Sequence, residues 1–186
     1  MSEFLTSLQG NMLLDGGQLK GSFFNRAVVL ICQHNLEGAF GLVLNRKTEN
    51  TIDEVLTAEL PAALRVYPLF LGGPVQPGAL SYLHSDAFMP EANVIENLSL
   101  GHSMESLIDL GESMSSSKQV RIFAGYAGWS PGQLEDEIKR KSWLIHPASI
   151  DLVFSAEPER LWQRILQKKG AAFRLLAEAP DDPSLN

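Results

Sequence analysis

One cysteine, Cys32, stands in a chain of 186 residues. That excludes an intrachain disulfide and any zinc site assembled from several thiolates. Positive charge is scarce as well. Fifteen Lys and Arg against 22 Asp and Glu leave a net charge of −7, the wrong field for general binding to nucleic acid or to an anionic membrane. No apolar run approaches the length of a membrane span. Met1-Ser2-Glu3-Phe4 lacks the basic region and long apolar core of a secretory signal. His34, His84, His102 and His146 are dispersed, with no H-x-x-x-H or H-E-x-x-H spacing, so no metal is expected. The Lys-Ser/Thr of a P-loop and the G-x-G-x-x-G of a dinucleotide site are missing too, and no cofactor is expected. These absences together imply a reducing, cytoplasmic setting.

What is present is the composition of an ordinary globular protein, 45% hydrophobic and 20% charged. The length suits one domain over residues 1–179, followed by a flexible acidic tail over 180–186. A short helix is expected over 3–9, and a short strand at Met12-Leu13-Leu14. The run Ala27 to Cys32 predicts a strand buried on both faces, joined through Asn35-Leu36-Glu37-Gly38 to a second strand over 39–44. Thr51 with Glu54 reads as a capping box for a helix running to about Leu60. Further strands are expected over 66–71, 79–84, 94–98, 143–147 and 152–154. Helices are expected from Ser103 to Gly111 and from Pro158 to Gly170. Strands and helices mix without strict alternation, which favours α+β with a mixed sheet over a doubly wound fold.

The most ordered signal is Ala124-Gly125-Tyr126-Ala127-Gly128-Trp129-Ser130-Pro131-Gly132-Gln133-Leu134-Glu135. A buried strand over 120–124 leads into a Gly- and aromatic-rich turn, then a helix with Ser130 as N-cap, Pro131 first and Gln133 third. Gly128 to Gly132 also matches G-x-S-x-G between a strand and a helix, the setting of a hydrolase nucleophile. Pro131 opposes that reading. The residue after such a nucleophile donates its backbone N–H to the oxyanion, and proline has none. Cys32 and His34, two apart on a strand, are expected on one face, where a thiolate–imidazole pair would make a nucleophile or redox sensor. The competing reading makes Cys32 a small core residue and His34 a partner of the hairpin turn.

Several of these stretches resemble the YqgE/AlgH family of bacterial proteins. The resemblance spans nearly the whole chain and is carried by Gly10-Asn11-Met12-Leu13 and by Phe24-x-Arg26-x-Val28-Val29. It continues through Cys32-Gln33-His34-Asn35-x-Glu37-Gly38-Ala39-x-Gly41-Leu42-Val43-Leu44-Asn45-Arg46, Gly72-Gly73-Pro74-Val75 and Gly125-Tyr126-Ala127-Gly128-Trp129-x-x-Gly132-Gln133-Leu134-Glu135. It implies an α+β fold with a partly barrel-like mixed sheet surrounded by helices. Three positions depart from the family pattern: Gly21-Ser22 stand where Asp-Pro is usual, and Gln33 where Glu is usual. The resemblance implies no established catalysis. Its AlgH name links it to regulation of alginate production, and members are often labelled transcriptional regulators.

Three Gly-rich elements are expected to converge on one binding cleft: the Gln33-His34-Asn35 hairpin, the Gly72-Gly73-Pro74 loop and the Tyr126-to-Gln133 turn. Arg26, Asn45 and Arg46 would bring positive charge and polarity to it, and Tyr126, Gly128, Trp129 and Gln133 its walls. The first functional expectation is a non-enzymatic cytoplasmic binding or regulatory protein whose partner is a small ligand or a protein. Direct nucleic-acid binding is disfavoured, and no membrane partner is expected. The alternative is a thiol-dependent enzyme or redox sensor using Cys32 with His34, and a third reading is an oligomerisation module.

Overall fold

The structure is a computed structural model and describes residues 6–181. In chain order it contains β1 (Asn11–Asp15), β2 (Val28–Asn35), β3 (Gly38–Val43), β4 (Lys47–Thr51), α1 (Ile52–Val55), α2 (Ala62–Arg65), β5 (Pro68–Leu71) and β6 (Val75–Ser85). There follow β7 (Leu98–Gly101), α3 (Met104–Glu112), β8 (Gln119–Trp129), α4 (Gln133–Lys139), β9 (Trp143–Pro147) and α5 (Ile150–Val153). A single 3₁₀ turn, Pro158–Arg160, leads into α6 (Leu161–Lys168), and α7 (Ala171–Glu178) comes last.

The α+β expectation holds. Nine strands form one mixed sheet in the order β4-β5-β8-β3-β2-β1-β9, with β6 on β8 and β7 on β6. All pairs are antiparallel except β5 with β8. The sheet does not close: among the described residues β4, β7 and β9 each pair along one edge only, so it is an open, curved sheet and only loosely barrel-like. One face carries Met12, Leu14, Val28, Leu30, Leu42 and Leu44 against α6 and α7. The other carries Leu13, Val29, Ile31 and Val43 against Leu134 of α4 and Trp143. Strands β1 and β2 are buried on both faces, which is why they read as unbroken apolar runs.

Strand β8 organises the sheet, and it is longer than the sequence suggests. No turn interrupts it at Gly125. Residues 122–124 pair with β5 along one edge, and 119–124 pair with β6 along the other. The three residues Gly72-Gly73-Pro74 therefore carry the chain across β8, from one edge to the other. A Cβ on Gly73 would overlap the Tyr126 carbonyl, and one on Gly125 would meet the Gly73 carbonyl. Gly125 also sits at φ +71°, a conformation that L side chains rarely adopt. Two backbones thus touch where only glycine permits it.

Other boundaries differ from expectation for local reasons. Thr51 does cap α1, its N–H donating to Glu54 at 2.8 Å, but α1 ends at Val55 and not near Leu60. The strand expected over 152–154 is absent: Leu152 and Val153 close helix α5 and Phe154 is its C-cap, while the N-cap Ser149 accepts from the Leu152 N–H at 3.4 Å. The strand expected over 94–98 lies at β7 instead, and α7 was not anticipated. The helix expected over 3–9 falls partly outside the described residues, and Thr6 to Leu8 are not helical. Helix α4 begins at Gln133 with Gly132 as its N-cap at φ +78°, two residues later than a Ser130 cap requires. Half of the expected box survives: the Ser130 N–H donates to the Gln133 side chain at 3.0 Å.

Candidate functional site

Asp15 is a buried acid at the end of β1. Its Oδ1 accepts the N–H of Gly17 at 2.8 Å and of Leu19 at 3.3 Å, and its Oδ2 accepts the N–H of Arg26 at 2.7 Å. One carboxylate thereby gathers the connection between β1 and β2 and holds Arg26 at φ +55°. Asn45, also buried, ties the end of β3 to the start of β2: its Oδ1 accepts from the Val28 N–H at 2.9 Å and its Nδ2 donates to the Arg26 carbonyl at 2.8 Å.

Around this knot lie two guanidiniums. Arg26 stacks over Trp162 at 5.1 Å, donates to the Ala179 carbonyl and pairs with Asp181 at 3.5 Å. Arg46 donates to the carbonyls of Phe23 and Asn25 and lies over the Phe23 ring at 6.0 Å. Burial pulls the Arg46 pKa down, against the opposing field of Asp181 and Asp15. Arg26, Asn45 and Arg46 share a cleft of about 460 Å³ with Glu159, Gln163 and Asp181, within the size range of small-ligand sites.

His34 is at the other end of β2. Its Nδ1 accepts the Leu8 N–H at 2.9 Å, which places the ring proton on Nε2, and Nε2–H donates to Glu135 at 2.8 Å. The ring is buried and both nitrogens are used. Burial pushes the Glu135 carboxyl up, but hydrogen bonds from backbone and His34, with the charge of Lys139, outweigh it and leave the group below its usual range. Asn35 is exposed at the hairpin turn, where its Oδ1 accepts the Glu37 N–H at 2.8 Å.

Trp129 and Trp143 both donate their indole N–H groups to Glu137 Oε2, at 2.9 and 2.8 Å, and Gln133 donates to Glu137 Oε1 at 3.0 Å. Trp129 and Gln133 are thus occupied in docking α4 on the sheet.

Gly72, Gly73 and Pro74 form no open anion cradle. The Gly72 N–H donates to Ala124 and its carbonyl accepts from Val43, both at 2.8 Å. Beside the crossing, Tyr126 stacks on Phe40 at 4.9 Å, while Gly128 is an exposed strand residue paired with Phe40.

Cys32 and His34 do not share a face. A β-bulge between Ile31 and Gln33 makes Cys32 the unpaired residue. Cys32 packs with Met12 and Leu30, whereas His34 stands opposite Ala39, on the side that holds Trp129 and Leu134. The thiol is 0% exposed and burial pushes its pKa far up.

The expected single cleft is therefore divided. Arg26, Asn45 and Arg46 come together, and His34 lies near Trp129 and Gln133 through α4. Val28 and His34 mark the two ends of β2, roughly 20 Å apart at strand rise. The glycine crossing sits within the sheet. Sequence reasoning missed Asp15, Trp162 and Asp181 at the arginine cleft and Glu135 and Glu137 at the other end. The Asp15-Gly16-Gly17 turn was the available signal for the first. Among the described residues no group of three His, Cys, Asp or Glu side chains is placed to hold a metal ion.

A family model described as AlgH-like matches residues 12–174. A UPF0301 protein of Chlorobium phaeobacteroides is 36% identical over 193 residues, covering 100% of both chains. Another UPF0301 protein, of Streptomyces avermitilis, is 37% identical over 193 residues, covering 98% of this chain and 97% of its own. The solution structure of the AlgH protein from Pseudomonas aeruginosa superposes with a TM-score of 0.73 at 27% identity, covering 97% of this chain and 98% of that one. A Corynebacterium diphtheriae protein solved by X-ray crystallography shares the fold, with a TM-score of 0.78 at 21% identity and 95% of each chain covered.

Proposed function

The chain belongs to the AlgH-like family of UPF0301 proteins, and on that premise we propose that it is a cytoplasmic binding and regulatory protein, not an enzyme, whose recognition surface is the cleft of Arg26, Asn45 and Arg46. The observation that carries this reading is Asp181: a carboxylate from a distant part of the chain already rests on Arg26. It occupies the cleft as an acidic partner would. Two guanidiniums shaped by aromatic rings and a buried asparagine suit a carboxylate of a peptide or small acid.

The thiol reading has less support. A sealed, protonated Cys32 is a poor nucleophile, and His34 has no free nitrogen with which to activate it. Regulation through direct DNA contact is also unsupported by a chain of net charge −7, so any regulatory effect would pass through an acidic protein or metabolite.

The test is binding of a labelled peptide with the sequence of residues 177–183, Ala-Glu-Ala-Pro-Asp-Asp-Pro. The Asp181→Asn protein, freed of its internal competitor, should bind several-fold more tightly than the unaltered protein. Adding Arg26→Gln should weaken that binding about tenfold, the loss expected for one charge-assisted hydrogen bond. Binding indifferent to Arg26, or none at all in the Asp181→Asn protein, would end the proposal.

A further inference from the structure

A larger cleft, about 600 Å³, opens away from the arginine site where α5, the segment after it and α6 meet. Leu152, Phe154 and Ile165 supply an apolar floor, and Arg164 and Lys168 line its rim. These two cations lie four apart on α6, on one face, where like charges repel. Among the described residues neither is in an ion pair; Arg164 only approaches the Ser155 hydroxyl at 3.5 Å. Asp151 is the one acid of the lining.

A third cation stands behind the wall. The Arg121 guanidinium donates to the carbonyls of Val153 at 2.7 Å and Ser155 at 3.0 Å, and it lies 4.4 Å from the Phe70 ring centroid and 5.9 Å from that of Phe154. Burial pulls its pKa down to about 10, and no carboxylate among the described residues pairs with it. A half-buried charge without a counterion still carries a desolvation cost. In a protein of net charge −7, a cleft edged and backed by cations is a local reversal of field, and the apolar floor beneath calls for more than an inorganic ion.

We propose that this α5–α6 cleft binds a small amphipathic anion, an aliphatic or aromatic body on Leu152, Phe154 and Ile165 with its carboxylate or phosphate head between Arg164 and Lys168. The site is separate from the Arg26 cleft.

The probe is 1-anilinonaphthalene-8-sulfonate, titrated into the full-length protein with emission as the readout. One saturable site is expected, emptied by octanoate or octyl phosphate and not by 1-octanol. Whichever of the two anions competes more strongly identifies the head group. The Arg164→Gln/Lys168→Gln protein should bind the probe at least about tenfold more weakly, as loss of a charge-assisted contact implies, with an unchanged thermal midpoint. Should that midpoint fall, the exposed Lys168→Gln change alone must still weaken the probe several-fold. Arg26→Gln should leave the titration unaltered, so that failure of the acidic-peptide site and of this one are distinguishable. Equal displacement by 1-octanol, or a double variant that binds as the unaltered protein does, would overturn the proposal.

Discussion

Glu137 satisfies two indole N–H groups through a single oxygen, so its removal strands two donors at once. Each stranded buried donor costs roughly 1–3 kcal/mol. Glu137→Ala should accordingly lower stability by about 2–6 kcal/mol in urea unfolding and alter tryptophan emission, whereas Glu137→Gln keeps an acceptor and should lose less. Cys32 makes an opposite kind of expectation. Buried in the core with its thiol protonated, it should react with iodoacetamide only after denaturation; rapid labelling of the native protein would show that the strand opens. The alternation rule placed Cys32 and His34 together because a one-residue bulge leaves no mark in a sequence. The core reading of Cys32 was legible from its apolar neighbours. The role of Asp15 was not, because its three backbone partners are fixed only once the loop closes.

At the scale of elements, the glycine-rich segments serve the meeting of backbones. The sequence marked Gly72-Gly73 and Gly125 as special, but glycine looks the same whether it yields space to a ligand or to another strand. Gly73→Ala should therefore destabilise the fold by at least about 3 kcal/mol, as forced backbone overlap does, without a selective effect on peptide or probe binding. Retained stability in that variant would mean that the crossing can relax. Capping chemistry was readable where it is local, at Thr51 and Ser103, and element length was not. The apolar trio Leu152-Val153-Phe154 fits a strand as well as one helical turn, and the packing of α6 decides between them.

For the molecule as a whole, His84, His146 and Glu135 are the groups among the described residues whose shifts bear on the response to acid. Burial holds His84 and His146 below their usual value of 6.5, helped by Lys118 and Lys169 respectively. Glu135 lies below 4.5 through the balance already described. In each case the unfolded chain takes up the proton at a higher pH than the folded one. Stability is thus complete above the unfolded value and declines as pH falls, first below about 6.5 through the histidines and then below about 4.5 through Glu135. In about 0.2 M salt, which screens the net charge, the thermal midpoint should fall steadily from pH 7.5 to 5.5, and His146→Gln should flatten the slope. A midpoint rising on acidification would contradict this. The α+β class and the strand core were legible because they depend on local pattern. Which polar residues share a cleft was not, since that follows from strand order and from the chain's passage over β8.

The central claim, that an acidic partner is received by Arg26 and Arg46, is tested most directly by following backbone amide resonances of the Asp181→Asn protein during titration with the acidic peptide of residues 177–183. Shifts should concentrate at Asn25, Arg26, Asn45 and Arg46 and saturate together. Shifts centred on His34, Asn35 and Gln133, or none anywhere, would contradict it.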